Sequence, residues 1–446
     1  MRPAELLTLA KQVGESDFCW FGNPQRDELE IGGIGCAAAV TASGQERMAT
    51  AAREIADRTV GMLADDLFGD QAAPVASGVN WLGGFAFMAQ TPRSNHWEDF
   101  DALRFVLPQL AISARGGQTP ETRLTINRLV HHGDDVAQHL AAVEAMLDAL
   151  ATVSGVDPSD SVDLDAVGVP PKVAAPAGAK HYEASVARAV ERIARGEFSK
   201  LVLARELELE VQHDFDVRAI SDQLNARFPS CMSFVIGHEG QAFCGSTPEL
   251  LVRREGRRVS TMALAGSAKR GLDGTADEQF GRNLLASSKD LEEHAIVVRR
   301  IERTLGRLSS WVVCGQQPEL VKLKNVQHLA TPIRAQLTQP RPLLELAALM
   351  HPTPAVGGEP WPEAAAAIAE LEGFERGWYA GGLGWTDALE DGELYVGLRC
   401  ALISGNRARL FAGAGIVSGS DPATELAETE TKFEAMLHAL LAARAS

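Results

Sequence analysis

The sequence predicts an α/β or α+β fold, and three observations carry that reading. From residue 180 onward, strand-like and helix-like segments alternate over a long stretch. Before it, "EIGGIGCAAAV" and "NWLGGFAFMA" have the Gly-rich apolar character of buried strands in close backbone contact. The chain has 446 residues, 46% hydrophobic and 23% charged, enough apolar material for a large core.

Taken in order, the N-terminal "MRPAELLTLAKQVGE" mixes apolar and charged residues as a surface helix does, without the apolar run of a signal peptide. Between 153 and 179, "VSGVDPSDSVDLDAVGVPPKVAAPAGA" reads as a linker or surface crossing between 1–152 and 180–446. The two parts are nevertheless expected to interleave into one structural domain. "HYEASVARAVERIARGE" has helical spacing and stops at Gly196; "KLVLARELELEV" follows as a strand and "DVRAISDQLNARF" as a helix. "SCMSFVIGH", "QAFCGSTPELLVRREG" and "RRVSTMALAG" are expected as neighbouring antiparallel strands, with turns at Glu239-Gly240 and Glu255-Gly256. "SKDLEEHAIVVRRIERTLGRL" is a long helix. "ELYVGLRCALI" and "RARLFAGAGIV" form a hairpin joined at Gly405-Asn406. The last helix, "DPATELAETETKFEAMLHALLAA", is capped by Asp421, with Pro422 in its first turn.

The formal net charge of −17 argues against a nucleic-acid partner. No run approaches the roughly 18 apolar residues of a membrane span. Six cysteines with no paired metal spacing indicate reduced thiols and a cytoplasmic location.

Several residues could carry chemistry, each with a bland alternative. Glu425, Glu428 and Lys432 share one face of the last helix, either as a solvated Glu-Lys pair or as carboxylates for Mg²⁺, with Gly413 and Gly415 just before. Glu292 and Glu293 are adjacent, so a helix points them in different directions. His294 reads as a hydrogen-bonded structural residue, and no second His stands at zinc spacing. Lys200, at a strand start, is either solvated or a base, and a base must be buried or placed beside another cation. Glu249 after Pro248 is either a surface carboxylate or a presented acid. His328 in "VQHLATP" and the stiff "HPTPAVGG" loop stay ambiguous. "TMALAGSAKRG" (261–271) lacks the P-loop pattern, although its Lys269-Arg270 pair could cradle an anion.

In order, "KLVLARE", "GSTPELL", "ALAGSAKRG", "KDLEEH", "VQHLATP", "HPTPAVGG", "RGWYAGGLGW", "LYVGLRCALI" and "GAGIVSGSDPATELAETETK" resemble the chorismate-utilising enzymes, most of all the isochorismate synthases. Softer echoes ("FCWFGNP", "WLGGFAF", "RFVLP") extend the resemblance over most of the chain. It implies one large α+β fold of mainly antiparallel sheets flanked by helices, with the site in the C-terminal half. The implied reaction is Mg²⁺-dependent and reversible: water adds at C2 of chorismate, the double bonds shift, and the C4 hydroxyl leaves. The resemblance makes Lys200 the general base and Glu249 the general acid. It makes Glu293 and Glu428 the Mg²⁺ carboxylates, with Glu425 as a further or water-mediated ligand. Arg399 and Lys432 would bind substrate carboxylates, helped by Tyr379, Gly413 and Gly415, while Ser267, His328 and Ala355 line the pocket. Ala265 stands where aminodeoxychorismate synthases carry a lysine nucleophile, which leaves water as the nucleophile. Salicylate synthases, which go on to expel pyruvate, are the alternative. Ser267 where threonine is common, and Ala427 where an aromatic is common, are departures that remove no catalytic group. No glutamine amidotransferase subunit is expected, and the chain is expected to be a monomer or weak homodimer.

Overall fold

The computed structural model describes residues 2–26, 28–60, 78–116, 121–153, 170–324 and 326–443. Among them, two large antiparallel sheets share a core. The first has eleven strands, in the spatial order Gly358–Glu359, Lys200–Glu210, Arg407–Ile416, Cys400–Ser404, Gln241–Thr247, Met232–His238, Phe18–Asn23, Leu29–Ile34, Leu110–Arg115, Glu121–Ile126. Its eleventh, Lys172–Ala174, also pairs with Lys200–Glu210. The second has ten: Ser309–Cys314, Val326–Leu337, Arg258–Lys269, Leu250–Glu255, Gly392–Val396, Gly382–Asp387, Asn80–Phe85, Leu103–Leu107, Ala38–Thr41, with Glu319–Lys322 also paired to Val326–Leu337. Each sheet holds strands from before and after residue 153. Phe18–Asn23 pairs with Met232–His238 in one, and Asn80–Phe85 with Gly382–Asp387 in the other.

Strand periodicity decides which side chains go where. In the first sheet Met232, Phe234 and Ile236 face the shared inner core, while Cys231 and Val235 face a second cluster with the helices. Phe243, Leu402 and Phe411 likewise point inward, against Trp81, Phe85, Leu251, Trp378 and Leu394. Truncating one of these aromatics to Ala costs about 3–5 kcal/mol. Helices Glu5–Val13, Val217–Arg227 and Pro422–Ala443 cover the outer face of the first sheet through Leu7, Leu224, Phe433 and Met436. Helix Ser288–Gly306 packs Val297, Ile301 and Leu305 against Ala263, Ala265, Ile333 and Ala335.

The expected helices are present, the last with its expected cap. Asp216 accepts from Arg218 and Ala219 N–H, and Asp421 Oδ1 accepts from Thr424 N–H at 2.9 Å. The expected N-terminal surface helix, Glu5–Val13, buries Leu6, Leu7, Leu9 and Ala10. Of the expected linker 153–179, residues 154–169 lie outside the described residues. The rest of that span already contributes strand Lys172–Ala174 and the start of helix Gly178–Ala194.

Two expected strands are each divided. "QAFCGSTPELLVRREG" is not one strand: Gln241–Thr247 belongs to the first sheet and Leu250–Glu255 to the second. "ELYVGLRCALI" divides in the same way, Gly392–Val396 in the second sheet and Cys400–Ser404 in the first. Apolar alternation runs through both breaks because both sheets face the same core, so periodicity alone does not reveal the change of sheet.

Candidate active site

These two crossings run side by side. Gly245 pairs with Cys400 on one side and Leu250 with Tyr395 on the other. Between them, Ser246 N–H donates to Arg399 O at 3.2 Å and Val396 N–H to Glu249 O at 3.0 Å. Glu249 and Arg399 therefore sit at matched positions on adjacent connections. Arg399 adopts φ +46°, a region that a side-chain-bearing residue occupies at a cost.

They open onto a cavity of about 680 Å³, its open mouth included. Of the thirteen candidate residues, eleven line it: Glu249, Ser267, Glu293, His328, Ala355, Tyr379, Arg399, Gly413, Gly415, Glu428 and Lys432. Leu264, Ala265 and Gly266 complete the wall formed by the "ALAGS" segment. Lys200 lies behind that surface, fully buried, with Nζ 2.8 Å from Glu293 Oε1. Glu425 is also buried and off the cavity surface, and its Oε1 accepts from Lys289 Nζ at 2.7 Å.

Glu249 is 3% exposed, and burial pushes its carboxyl up to about 7. The charge of Lys200 is the largest opposing influence, followed by the Thr353 hydroxyl, which donates to Glu249 Oε1 at 3.4 Å. Arg399 and Lys432 oppose it further. A carboxyl so placed holds its proton up to neutral pH, as a general acid must.

Strand Arg258–Lys269 bulges between Ala265 and Ser267, where Gly266 has φ +78°. The bulge brings Ser267 level with His328 on the neighbouring strand, and Ser267 Oγ lies 2.9 Å from His328 Nδ1. Arg399 Nη2 meets His328 Nε2. Arginine can only donate, so His328 accepts at Nε2 and carries its proton on Nδ1, toward Ser267. Burial, then the charges of Arg399 and Lys432, hold His328 well below its usual range and keep it neutral. Arg399 Nη1 is buried and makes no hydrogen bond of good geometry, although the Cys231 thiol lies beside the guanidinium. An unmatched guanidinium N–H beside a cavity is a place for an anionic ligand.

Gly413 and Gly415 leave room for their neighbours. A Cβ on Gly415 would lie 2.1 Å from Glu293 Oε1, and one on Gly413 2.9 Å from the Tyr379 hydroxyl. Lys432 Nζ donates to Gly413 O and pairs with Glu428 Oε1, both at 2.7 Å.

Carboxylates crowd one side. Asp290 is raised by burial and then, against the Ser287 hydrogen bond, by the charge of Glu293; Glu425 is raised by burial and then by Glu428. Such hard oxygen donors suit Mg²⁺, which takes one or two carboxylates and completes its shell with water and substrate. Among the described residues, no group of three or more His, Cys, Asp or Glu side chains is gathered closely enough to hold an ion. The expected three-glutamate set is thus not assembled: Glu293 and Glu428 reach the cavity, while Glu425 turns to Lys289.

Other expectations are resolved too. Glu292 is exposed where Glu293 is buried, as adjacency on a helix requires. His294 is structural, with Nδ1 3.2 Å from Ala265 O and Nε2 2.7 Å from Thr331 Oγ1. The Lys269-Arg270 pair is engaged within the protein: Arg270 pairs with Asp277, and Lys269 lies over the Phe280 ring. Sequence reasoning missed Thr353, Lys289 and Asp290. All three lie inside the "HPTPAVGG" and "KDLEEH" segments, but their partners come from other elements.

The chain matches the family model described as chorismate binding enzyme over residues 1–441. It is 36% identical over 360 residues to isochorismate synthase MenF of Bacillus subtilis, covering 80% of this chain and 74% of that protein. It is 34% identical over 423 residues to the salicylate biosynthesis isochorismate synthase of Pseudomonas aeruginosa, covering 94% and 84%. The solved menaquinone-specific isochorismate synthase MenF from Escherichia coli superposes with a TM-score of 0.74 at 26% identity, covering 97% of this chain and 91% of that one. Anthranilate synthase component I from Streptococcus pneumoniae gives a TM-score of 0.73 at 19% identity, covering 92% of each chain, and shares the fold. Among the described residues, no helix is long and apolar enough to cross a membrane.

Proposed function

The chain belongs to the chorismate-binding enzyme family, and from that premise we propose that it is an isochorismate synthase acting on chorismate. The observation that carries the reading is Glu249, a buried carboxyl pushed up to about 7 at a cavity wall whose adjacent connection bears Arg399 with a free N–H.

Glu249 delivers its proton to the C4 hydroxyl, which departs as water. Lys200 takes a proton from the water that adds at C2. One water enters and one leaves, so the exchange balances and runs in both directions. Lys200 meets the burial that a base needs, but its partner is the carboxylate of Glu293 and not a second cation. Acting as a base requires the amine to be released from that pair. Arg399, positioned by His328, receives a substrate carboxylate, and Lys432 adds positive charge on the same wall. Together they offset the acidity of the chain as a whole.

Glu293 and Glu428 would hold Mg²⁺, with Glu425 behind them through water. When bound, the ion neutralises the ring carboxylate of the substrate. Ala265 presents no amine to the cavity, which supports water as the nucleophile. The test is turnover of chorismate with Mg²⁺ by the wild type, Lys200→Ala and Glu249→Gln. Isochorismate from the wild type and loss in both variants support the assignment, and full activity in either variant removes that residue's role.

A further inference from the structure

Behind the cavity lies a charged pair to which no role has been given. Arg376 is 3% exposed and Glu372 4%. Burying two charges is costly unless their hydrogen-bonding capacity is met within the protein. Here Arg376 Nε donates to Glu372 Oε2 at 2.8 Å, Nη1 to Val356 O at 2.7 Å and Nη2 to Val202 O at 2.9 Å, with a further bond from Nη2 to Glu372 Oε1. Glu372 Oε1 in turn accepts from Ala204 N–H at 2.7 Å. The guanidinium lies over the Phe87 ring, 4.2 Å from its centre. Burial opposes its charge, but Glu372 overrides burial and keeps it ionised.

What these bonds join gives the pair its meaning. Val202 lines the cavity, lies two residues after Lys200, and is the register partner of Gly415. Val356 lines it too, in the loop that carries Thr353, the hydroxyl partner of Glu249. Val202 N–H also donates to Gly357 O, so strand and loop are joined at a second point. Tyr379, a third wall, donates its N–H to Arg376 O at 3.0 Å. One planar fork therefore joins the backbone bearing the proposed base to the loop bearing the acid's partner, while the main-chain carbonyl of the same residue holds Tyr379. Lysine cannot reproduce this, because a point charge does not bridge two carbonyls in a fixed plane.

We propose that Arg376, held by Glu372, is a positioning residue for the reaction, setting the strand of Lys200 and the loop of Thr353 at their working separation. This rests on the reading of Glu249 as the general acid. Arg376→Lys keeps the charge and loses the bridge; Glu372→Gln keeps the shape and the acceptor for Ala204 and loses the charge. The number of intact sites in each variant is counted by calorimetric binding of chorismate. Per intact site, kcat is expected to fall at least tenfold with KM changed less than threefold. The falling limb of kcat against pH is expected to move above its wild-type position, because Thr353 no longer lowers Glu249. A purely structural role would lower the count of intact sites while leaving kcat per site and the limb unchanged in both variants, and that result overturns the proposal. If Arg376→Lys does not fold, Glu372→Gln decides alone. Absence of isochorismate from the wild type would instead overturn the functional reading beneath it.

Discussion

Gly415 lies against Glu293 so closely that a Cβ there would be 2.1 Å from the carboxylate oxygen that pairs with Lys200. The same Cβ would stand 3.3 Å from Lys200 Cε. The glycine thus makes room for the Lys200–Glu293 pair, the proposed base and a proposed metal carboxylate. Gly415→Ala is expected to displace Glu293 and lower kcat at least tenfold, with a loss of about 1–3 kcal/mol in stability from overpacking. Steady-state kinetics and urea unfolding of the variant check both; wild-type values of each would contradict the packing account.

Glu249 fixes the direction of the pH dependence. As the proposed acid it must be protonated, so the alkaline limb of synthesis is expected to fall as pH rises through about 7. The linkage has the same sign: the folded carboxyl is raised, so its contribution to stability is present at low pH and lost as pH rises through about 7. A profile of kcat in the forward direction reads this limb. Glu249→Gln is expected to lower kcat by about 10²–10⁴ and to remove the limb.

How legible was this in the chain? The helices were, and so was the cap of the last one, because Asp421 announces a helix start by local chemistry. The wall at Ala265 and the structural role of His294 were also legible. The positions of Glu249 and Arg399 were not. Both stand where the chain changes sheets, and since Phe243, Leu251, Leu394 and Leu402 all face one core, their alternation shows no break. Nor does spacing on the last helix show that Glu425 turns to Lys289, since that partner comes from another helix. The ion pair between Lys200 and Glu293 joins residues far apart in sequence, and only the fold brings them together.

Glu428 and Glu425 are expected to differ toward Mg²⁺. Chelation should abolish turnover, and Mg²⁺ at a hundred times its Kd should stabilise the protein by about 2.7 kcal/mol. Glu428 lines the cavity and Glu425 does not, so Glu428→Gln should raise the Mg²⁺ midpoint in thermal unfolding more than Glu425→Gln does. Equal midpoints would contradict this ordering.

Arg399 has an unmatched N–H at the cavity and a neutral His328 behind it. Hydrogen bonds to charged groups contribute about 1.5–3 kcal/mol, so Arg399→Ala is expected to raise KM some ten- to a hundredfold. Chorismate binding measured by calorimetry gives the value directly; unchanged affinity would place the substrate carboxylate elsewhere.

The proposed reaction adds water to the ring in this cavity and goes no further. The direct measurement is product analysis of the wild-type protein with chorismate and Mg²⁺ in oxygen-18-labelled water. Isochorismate with the label in its C2 hydroxyl is expected, and no pyruvate. Salicylate with an equal amount of pyruvate and no isochorismate, or unchanged chorismate, would contradict it.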